Sequence, residues 1–346
     1  MSLKGVKNKF MKKSRLLVTI VFMASLIIRQ AFALDSYRIP DNFSILDNSI
    51  RIENLNDMEE YSITYRNLQE YYGPENFSSS AVQKIEDIKS EYSPNENYIR
   101  YIYSDGYNLI IPNAVSLLYG NSDYEKYEQL IYYFEDTEYP NNFDEPLFMS
   151  KEKAIDLCLE KLKELSINNL IPDRVLSLTH SVISDCTSKM LTYYSSDLIQ
   201  YFQNIDESTE AYYISFQYDF CQTTVVGAKQ AEFIVTCNGI CMLKLYHITE
   251  QVQADRVINA HCSIEDALNK FIVENSQQKS DFDSYIIYNI SIDYYPEYNG
   301  NSSSLSARLI PCWNIQSKCR MKFSGKTKEI NISQLYSMED GKCYYD

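Results

Sequence analysis

Nucleophilic or metal chemistry in this chain has to draw on three histidines, His180, His247 and His261, and on nine cysteines that all lie after residue 157. A zinc centre needs Cys and His clustered at short spacing, and no CxxC, HExxH or HxxxH occurs. His261-Cys262 is the combination that could act as a nucleophile, because it precedes a predicted helix whose terminal amides and dipole favour a thiolate. The same position suits Cys262 as an apolar residue packed on the first helical turn, a hydrophobic staple. Serine catalysis would need a histidine base, and His180 and His247 fall within or at the end of predicted strands. Forty-seven acidic residues guarantee carboxylate pairs at glycosidase-like separations, so such pairs carry no information. Nine glycines supply neither GxGxxG nor GxxxxGK[ST]. The sequence therefore predicts no catalytic residue, no cofactor and no metal.

Two cysteine pairs deserve a structural reading. Asn238-Gly239 is a two-residue hairpin signal that sets Cys237 opposite Ile240 and Thr236 opposite Cys241, with the two thiols on opposite faces. Cys312 and Cys319 are the better disulfide candidates, joined by a turn around Gln316 to Lys318.

The elements that carry these residues contain an internal repeat. Ser150-Lys-Glu-Lys-Ala-Ile-Asp-Leu-Cys-Leu aligns without gaps to Ser263-Ile-Glu-Asp-Ala-Leu-Asn-Lys-Phe-Ile, an offset of 113 residues. Each opens on a capping serine and places acidic residues in the first turn. Ala154, Ile155, Cys158 and Leu159 match Ala267, Leu268, Phe271 and Ile272 as a helical apolar stripe. The alignment puts Met149, which cannot be a nucleophile, at the place of Cys262, and this favours the staple. After each helix come alternating segments, Val175–His180 and Tyr288–Tyr294, which read as half-buried strands. Further strands are predicted at Tyr212–Tyr218, Phe233–Cys237, Ile240–His247, Leu305–Trp313 and Lys328–Ile332, with a late turn at Asp340-Gly341. Upstream, a hairpin around Asp105-Gly106, a short helix at Asp123–Phe134 and a linker at Pro140–Asp144 are predicted.

Residues 1–34 hold seven Lys and Arg, no acidic residue, and an apolar run from Leu16 to Ile28. This is a signal-peptide pattern with a cut after Ala33. The run is short for a membrane span, although an uncleaved anchor reaching Leu34 stays open. The formal charge of −15 argues against nucleic acid as a partner, since phosphate backbones are bound by concentrated Lys and Arg. Together these readings give an α+β chain of four parts. They are a signal peptide or anchor at 1–33, a smaller α+β region at 34–145, and helix-plus-antiparallel-sheet repeats at 146–250 and 251–346.

The helix start Phe148-Met-Ser-Lys-Glu-Lys-Ala154, the hairpin at Asn238-Gly239-Ile240, the second start Cys262-Ser-Ile-Glu-Asp-Ala267 and Leu309-Ile-Pro-Cys-Trp313 carry a resemblance. Over about residues 146–335 the layout resembles the two-repeat, PepSY-like envelope proteins of Gram-positive bacteria, with the YycH and YycI regulators among them. The resemblance implies a non-enzymatic extracytoplasmic protein that binds a sensor or protease of the envelope. It would meet the membrane only through a retained N-terminal segment. Tyrosines are enriched at interfaces, and Tyr294, Tyr295 and Trp313 form the predicted partner-binding patch. The competing reading is a hydrolase acting on cell wall or peptides.

Overall fold

Strand-forming alternation dominates the chain, and a few amphipathic helices are laid against the resulting sheets. The computed structural model describes residues 43–46, 58–89, 97–136, 144–190, 207–220, 225, 229–277, 282–300, 303–323 and 326–345. The predicted leader, Cys221 and all of the predicted linker except Asp144 lie outside them. The chain divides into Met1–Ser44 and Ile45–Asp346. In the first unit the described residues are Phe43 and Ser44, which open strand β1 (Phe43–Ile45).

The second unit continues with β2 (Glu59–Tyr65), α1 (Leu68–Tyr71), β3 (Val82–Lys89), β4 (Asn97–Tyr103), β5 (Asn108–Asn113) and β6 (Ser116–Gly120). Helices α2 (Tyr124–Asp136) and α3 (Lys151–Glu164) precede β7 (Leu170–Leu178), α4 (His180–Met190), β8 (Ala211–Tyr218), β9 (Lys229–Thr236) and β10 (Gly239–Tyr246). Then come β11 (Thr249–Val257), α5 (Ile264–Gln277), β12 (Phe282–Tyr298), β13 (Ser306–Phe323), β14 (Lys326–Ser337) and β15 (Cys343–Tyr345). The class is α+β, with two antiparallel sheets.

The larger sheet has the order β3-β4-β5-β6-β10-β9-β8-β7, so strands from both sides of residue 145 share it. One face packs against α3 through Ala154, Cys158 and Leu162. The other packs against α2 and α4 through Tyr127, Leu130, Val182 and Ile183. Covered on both faces, β8 is buried at six successive residues, Ala211–Phe216, where alternation had predicted a half-buried strand. In the second sheet β12, β13, β14 and β15 form a meander, and β13 also pairs with β2, which pairs with β11. Helix α5 buries Ala267, Leu268, Phe271 and Ile272, with Phe271 edge-on to Tyr285 at 6.2 Å. In α3 the stripe is narrower, since Leu159 is 36% exposed and Leu162 extends the row instead.

Both serine caps form. Ser150 Oγ accepts from Lys153 N, and Ser263 Oγ accepts from Asp266 N while the Asp266 carboxylate accepts from Ser263 N, a reciprocal box. Helix α3 ends with Ser166 at φ +57. Ile167 N donates to Leu162 O and Ser166 N to Lys163 O, the Schellman pattern that glycine usually serves.

Three expectations are corrected. His180 does not end a strand; it opens α4. Alternation stops at Leu178, after which Val182, Ile183 and Cys186 are buried at helical spacing. His180 N donates to the buried Glu210 carboxylate at 3.0 Å, a favourable anion at a helix N-terminus. Cys312 and Cys319 cannot bond, because no turn separates them: both lie within the continuous strand β13, about 23 Å apart at strand rise, and both are free thiols. The third concerns the β9–β10 hairpin. It turns at Cys237-Asn238, with Gly239 at φ +99 opposite Thr236, one place from the predicted register. Glycine takes the left-handed position that follows the turn. Cys237 is exposed and Cys241 buried, and neither is bonded.

Arg66, just after β2, ties the second sheet to α3. Its guanidinium donates to Glu250 at 2.9 Å, Tyr72 OH at 2.8 Å, and the helix-terminal carbonyls of Leu165 and Ser166 at 3.4 and 3.3 Å. It also lies 4.1 Å from the Tyr71 ring centroid. A cation at a helix C-terminus complements the dipole. Arg66→Ala is expected to destabilise the fold by about 2 kcal/mol or more, and Arg66→Lys to recover only part of this, because lysine lacks the planar fork. Urea denaturation of the three proteins checks both.

Candidate functional site

The predicted patch is divided by the register of the second sheet. Tyr294 pairs with Pro311, and Trp313 with Ile292 and Tyr336, which places both aromatic residues on the face covered by α5. Tyr294 is 4% and Trp313 2% exposed. Tyr294 OH donates to Glu59 O at 3.1 Å, and its ring meets Tyr61 and Phe220 edge-on. Tyr295 projects from the opposite face, half-buried. The three side chains therefore do not share one accessible surface.

Trp313 instead holds α5. Its Nε1 donates to Cys262 O at 3.0 Å, the carbonyl immediately before the capping serine. In the other half, Tyr212 OH donates to Met149 O, also at 3.0 Å. Met149 and Cys262 are the aligned positions, and Tyr212 and Trp313 each stand on the second strand of the meander that follows the helix.

The face that bears Tyr295 carries the accessible chemistry. Tyr295 stacks on Tyr344 with centroids 4.2 Å apart and planes inclined by 25°, above Ile310, Cys312 and Leu335. Lys342 Nζ lies 4.5 Å from the Tyr344 centroid. Beside the stack runs a chain of alternating charges. Glu339 pairs with Arg256 at 2.8 Å, Arg256 with Glu60 at 2.9 Å and Glu60 with Arg308 at 3.3 Å. Arg308 then pairs with Glu297, and Glu297 with Lys342 at 3.2 Å. Glu60, 4% exposed, is the buried centre of this ladder. A polar run crosses the same face: Ser291 Oγ and Asn314 Nδ2 donate to Asp293, and Ser333 Oγ donates to Asn314 Oδ1. Stacked tyrosines beside fixed arginines are the side-chain types that dominate binding hot spots. Tyr344 and the ladder were missed in the sequence because β2, β12, β13 and β15 become neighbours only through long-range pairing.

The histidines and most of the thiols sit elsewhere, Cys312 beneath the stack being an exception. His247, at φ +46, lies where the chain passes from β10 to β11, between Tyr65 and Tyr298 at centroid distances of 4.8 and 4.9 Å. With Lys229 and Gln230 these residues line a cavity of about 20 Å³, room for about one water. Cys262 is 5% exposed, and burial pushes its thiol up, against the opposing pull of Lys270. Burial likewise pushes Cys319 up to about 11 and Cys241 to about 12. Among the described residues no group of three His, Cys, Asp or Glu is placed to hold a metal ion. Iodoacetamide labelling of the native chain should modify Cys237 readily, and Cys158, Cys241, Cys262, Cys312 and Cys319 only after unfolding, as read by peptide mass analysis.

A hydrogen bond from Arg308 holds the Glu297 carboxyl below the usual carboxylate range, and one from Arg256 does the same for Glu339. The folded state therefore binds these protons less readily than the unfolded chain. Their stabilisation is complete at neutral pH and is lost as pH falls below the ordinary carboxylate range through the depressed folded values. Both groups are partly exposed, so the contribution is also reduced by salt. Arg308→Gln should narrow the difference between urea midpoints measured at neutral pH and below about pH 4.

No family model and no curated protein matches the chain. Its fold is similar to that of an uncharacterised protein from Eubacterium rectale, known from a crystal structure, with a TM-score of 0.57 at 14% sequence identity. The match covers 89% of this chain and 92% of that one, and at this identity it is a likeness of fold alone.

Proposed function

We propose that the chain is an exported, non-enzymatic cell-envelope protein that binds and regulates another envelope protein, of sensor or protease type. The observation that carries this reading is the Tyr295–Tyr344 stack set beside Arg308, Glu297 and Lys342. It offers large amphipathic rings and oriented charges of both signs on one sheet face, the composition of a protein-binding surface.

The body behind that surface is read as two related, PepSY-like repeats at 146–250 and 251–346. Each has a serine-capped helix followed by an antiparallel meander, α3 with β7-β8-β9-β10 and α5 with β12-β13-β14-β15. The matching 3.0 Å bonds from Tyr212 to Met149 O and from Trp313 to Cys262 O support a common origin, because they fasten aligned residues through different chemical groups. The basic, apolar start of the sequence supports export.

A photo-crosslinking residue at position 295 of the full chain, in cells that produce it, is expected to trap a protein of the envelope fraction. The same probe at Glu125, an exposed position on α2, should not trap that protein. Arg308→Glu with Tyr344→Ala should reduce the adduct by at least about tenfold, while circular dichroism remains that of the parent. An adduct equally strong in the double variant would show that this face is not the binding surface.

A further inference from the structure

Strand β3 ends the larger sheet and, among the described residues, pairs with β4 alone. The other strands that end a sheet, among the described residues, are each interrupted or short. β7 contains Pro172 and a bulge, β11 has two bulges, and β15 has three residues. Bulges, prolines and brevity are the usual devices that keep a sheet edge from pairing. β3 has one register shift, between Val82 and Lys84, and from Lys84 to Lys89 its register with β4 is regular, with no proline. Its exposed Ile85, 62% accessible, lies on the same face as Ile99, 42% accessible, because Ile85 pairs with Tyr101 and Asp87 with Ile99. Lys84 and Glu86 project from the other face, where Glu86 meets Lys84 at 2.5 Å and Arg100 at 3.7 Å.

We propose that this edge is a homodimer interface, in which β3 of a second copy pairs antiparallel with β3 across a two-fold axis at Ile85. An axis perpendicular to the sheet leaves every side chain on its own face, so only positions of like parity can stand opposite each other. Centred on Ile85, the pairing sets Lys84 across from Glu86 of the second copy, and does so twice. It also joins the two Ile85 side chains beside the two Ile99 side chains. Centred on Lys84, Glu86 or Asp87, it would bring two like charges together on the axis, which cross-strand pairing disfavours, and centred on Ile88 it would pair only residues 87–89 of each strand. Charge and length of overlap together therefore favour this register, and the apolar pair gives it something to bury. This inference is independent of the partner-binding face, which lies on the other sheet.

Sedimentation equilibrium of the full chain is expected to show a dimer. Lys84→Glu should weaken it by at least about tenfold, since it replaces two opposite-charge pairs with like-charge ones. Lys84→Glu combined with Glu86→Lys should restore much of the loss. Register is read separately. Directly opposed residues of antiparallel strands have Cα atoms about 4.5–5.5 Å apart, within disulfide reach. Ile85→Cys should therefore form an intermolecular disulfide under mild oxidation, beyond any background from Cys237 in the parent chain, and Lys84→Cys should not. A monomeric parent chain, a dimer unaffected by Lys84→Glu, or crosslinking at position 84 in preference to 85 would each overturn the proposal.

Discussion

Along Ala307–Leu309 and Cys312–Met321 strand β13 is partnered on both edges, by β12 on one side and by β2 and β14 in succession on the other. A one-residue slip of such a strand would move its whole apolar set to the wrong face, so its register is fixed by several partners at once. That register decides which aromatic rings are spent on packing and which stay accessible. Trp313 and Ile315 face α5, while Ile310 and Cys312 face the Tyr295–Tyr344 stack. It also makes the charge ladder possible, because Arg308 stands beside Ser62 of β2 and Glu297 of β12, within reach of Glu60 from a strand some 250 residues earlier.

Local chemistry made much of the fold legible in the sequence. Asp105-Gly106 and Asp340-Gly341 mark turns, Asn238-Gly239 marks one displaced by a residue, and glycine has positive φ in each. The two capping serines and the stripe at Ala267, Leu268, Phe271 and Ile272 located α5, and the same pattern located α3. What failed was long-range. The sequence around Gln316 to Lys318 is polar on alternate positions and resembles a loop, yet Ile315, Ser317 and Cys319 are buried, because α5 covers that face. Helix α4 was hidden because its first turn follows a strand with no glycine or proline between them, and its start relies on Glu210, thirty residues later. Tyr294 and Tyr295 were grouped because they adjoin in sequence, although adjacency in a strand means opposite faces.

The two halves use one device for different ends. In each, an aromatic donor on the second meander strand fastens the carbonyl ahead of the capping serine, fixing where the helix enters its sheet. Beyond that point the environments diverge. The first meander is covered on its second face by α2 and α4, so β8 is buried throughout Ala211–Phe216. The second meander has Tyr295, Tyr344 and the ladder on its second face. Under the common origin and binding role proposed above, one copy would serve as the scaffold and the other as the presenting surface.

The electrostatics of that surface fit this division. The chain as a whole is strongly acidic, at −15, which would repel another acidic protein over a Debye length or so. The ladder balances Glu60, Glu297 and Glu339 against Arg256, Arg308 and Lys342, so the ladder itself is neutral. It combines low long-range repulsion with a fixed short-range pattern of charge. Such a pattern discriminates between partners more than it strengthens binding, since a wrong partner sets like charges against it and leaves buried Glu60 and its arginines poorly matched. Affinity would then come mainly from the tyrosine stack, whose rings are already held by Ile310, Cys312 and Leu335 and lose little freedom when a partner closes over them.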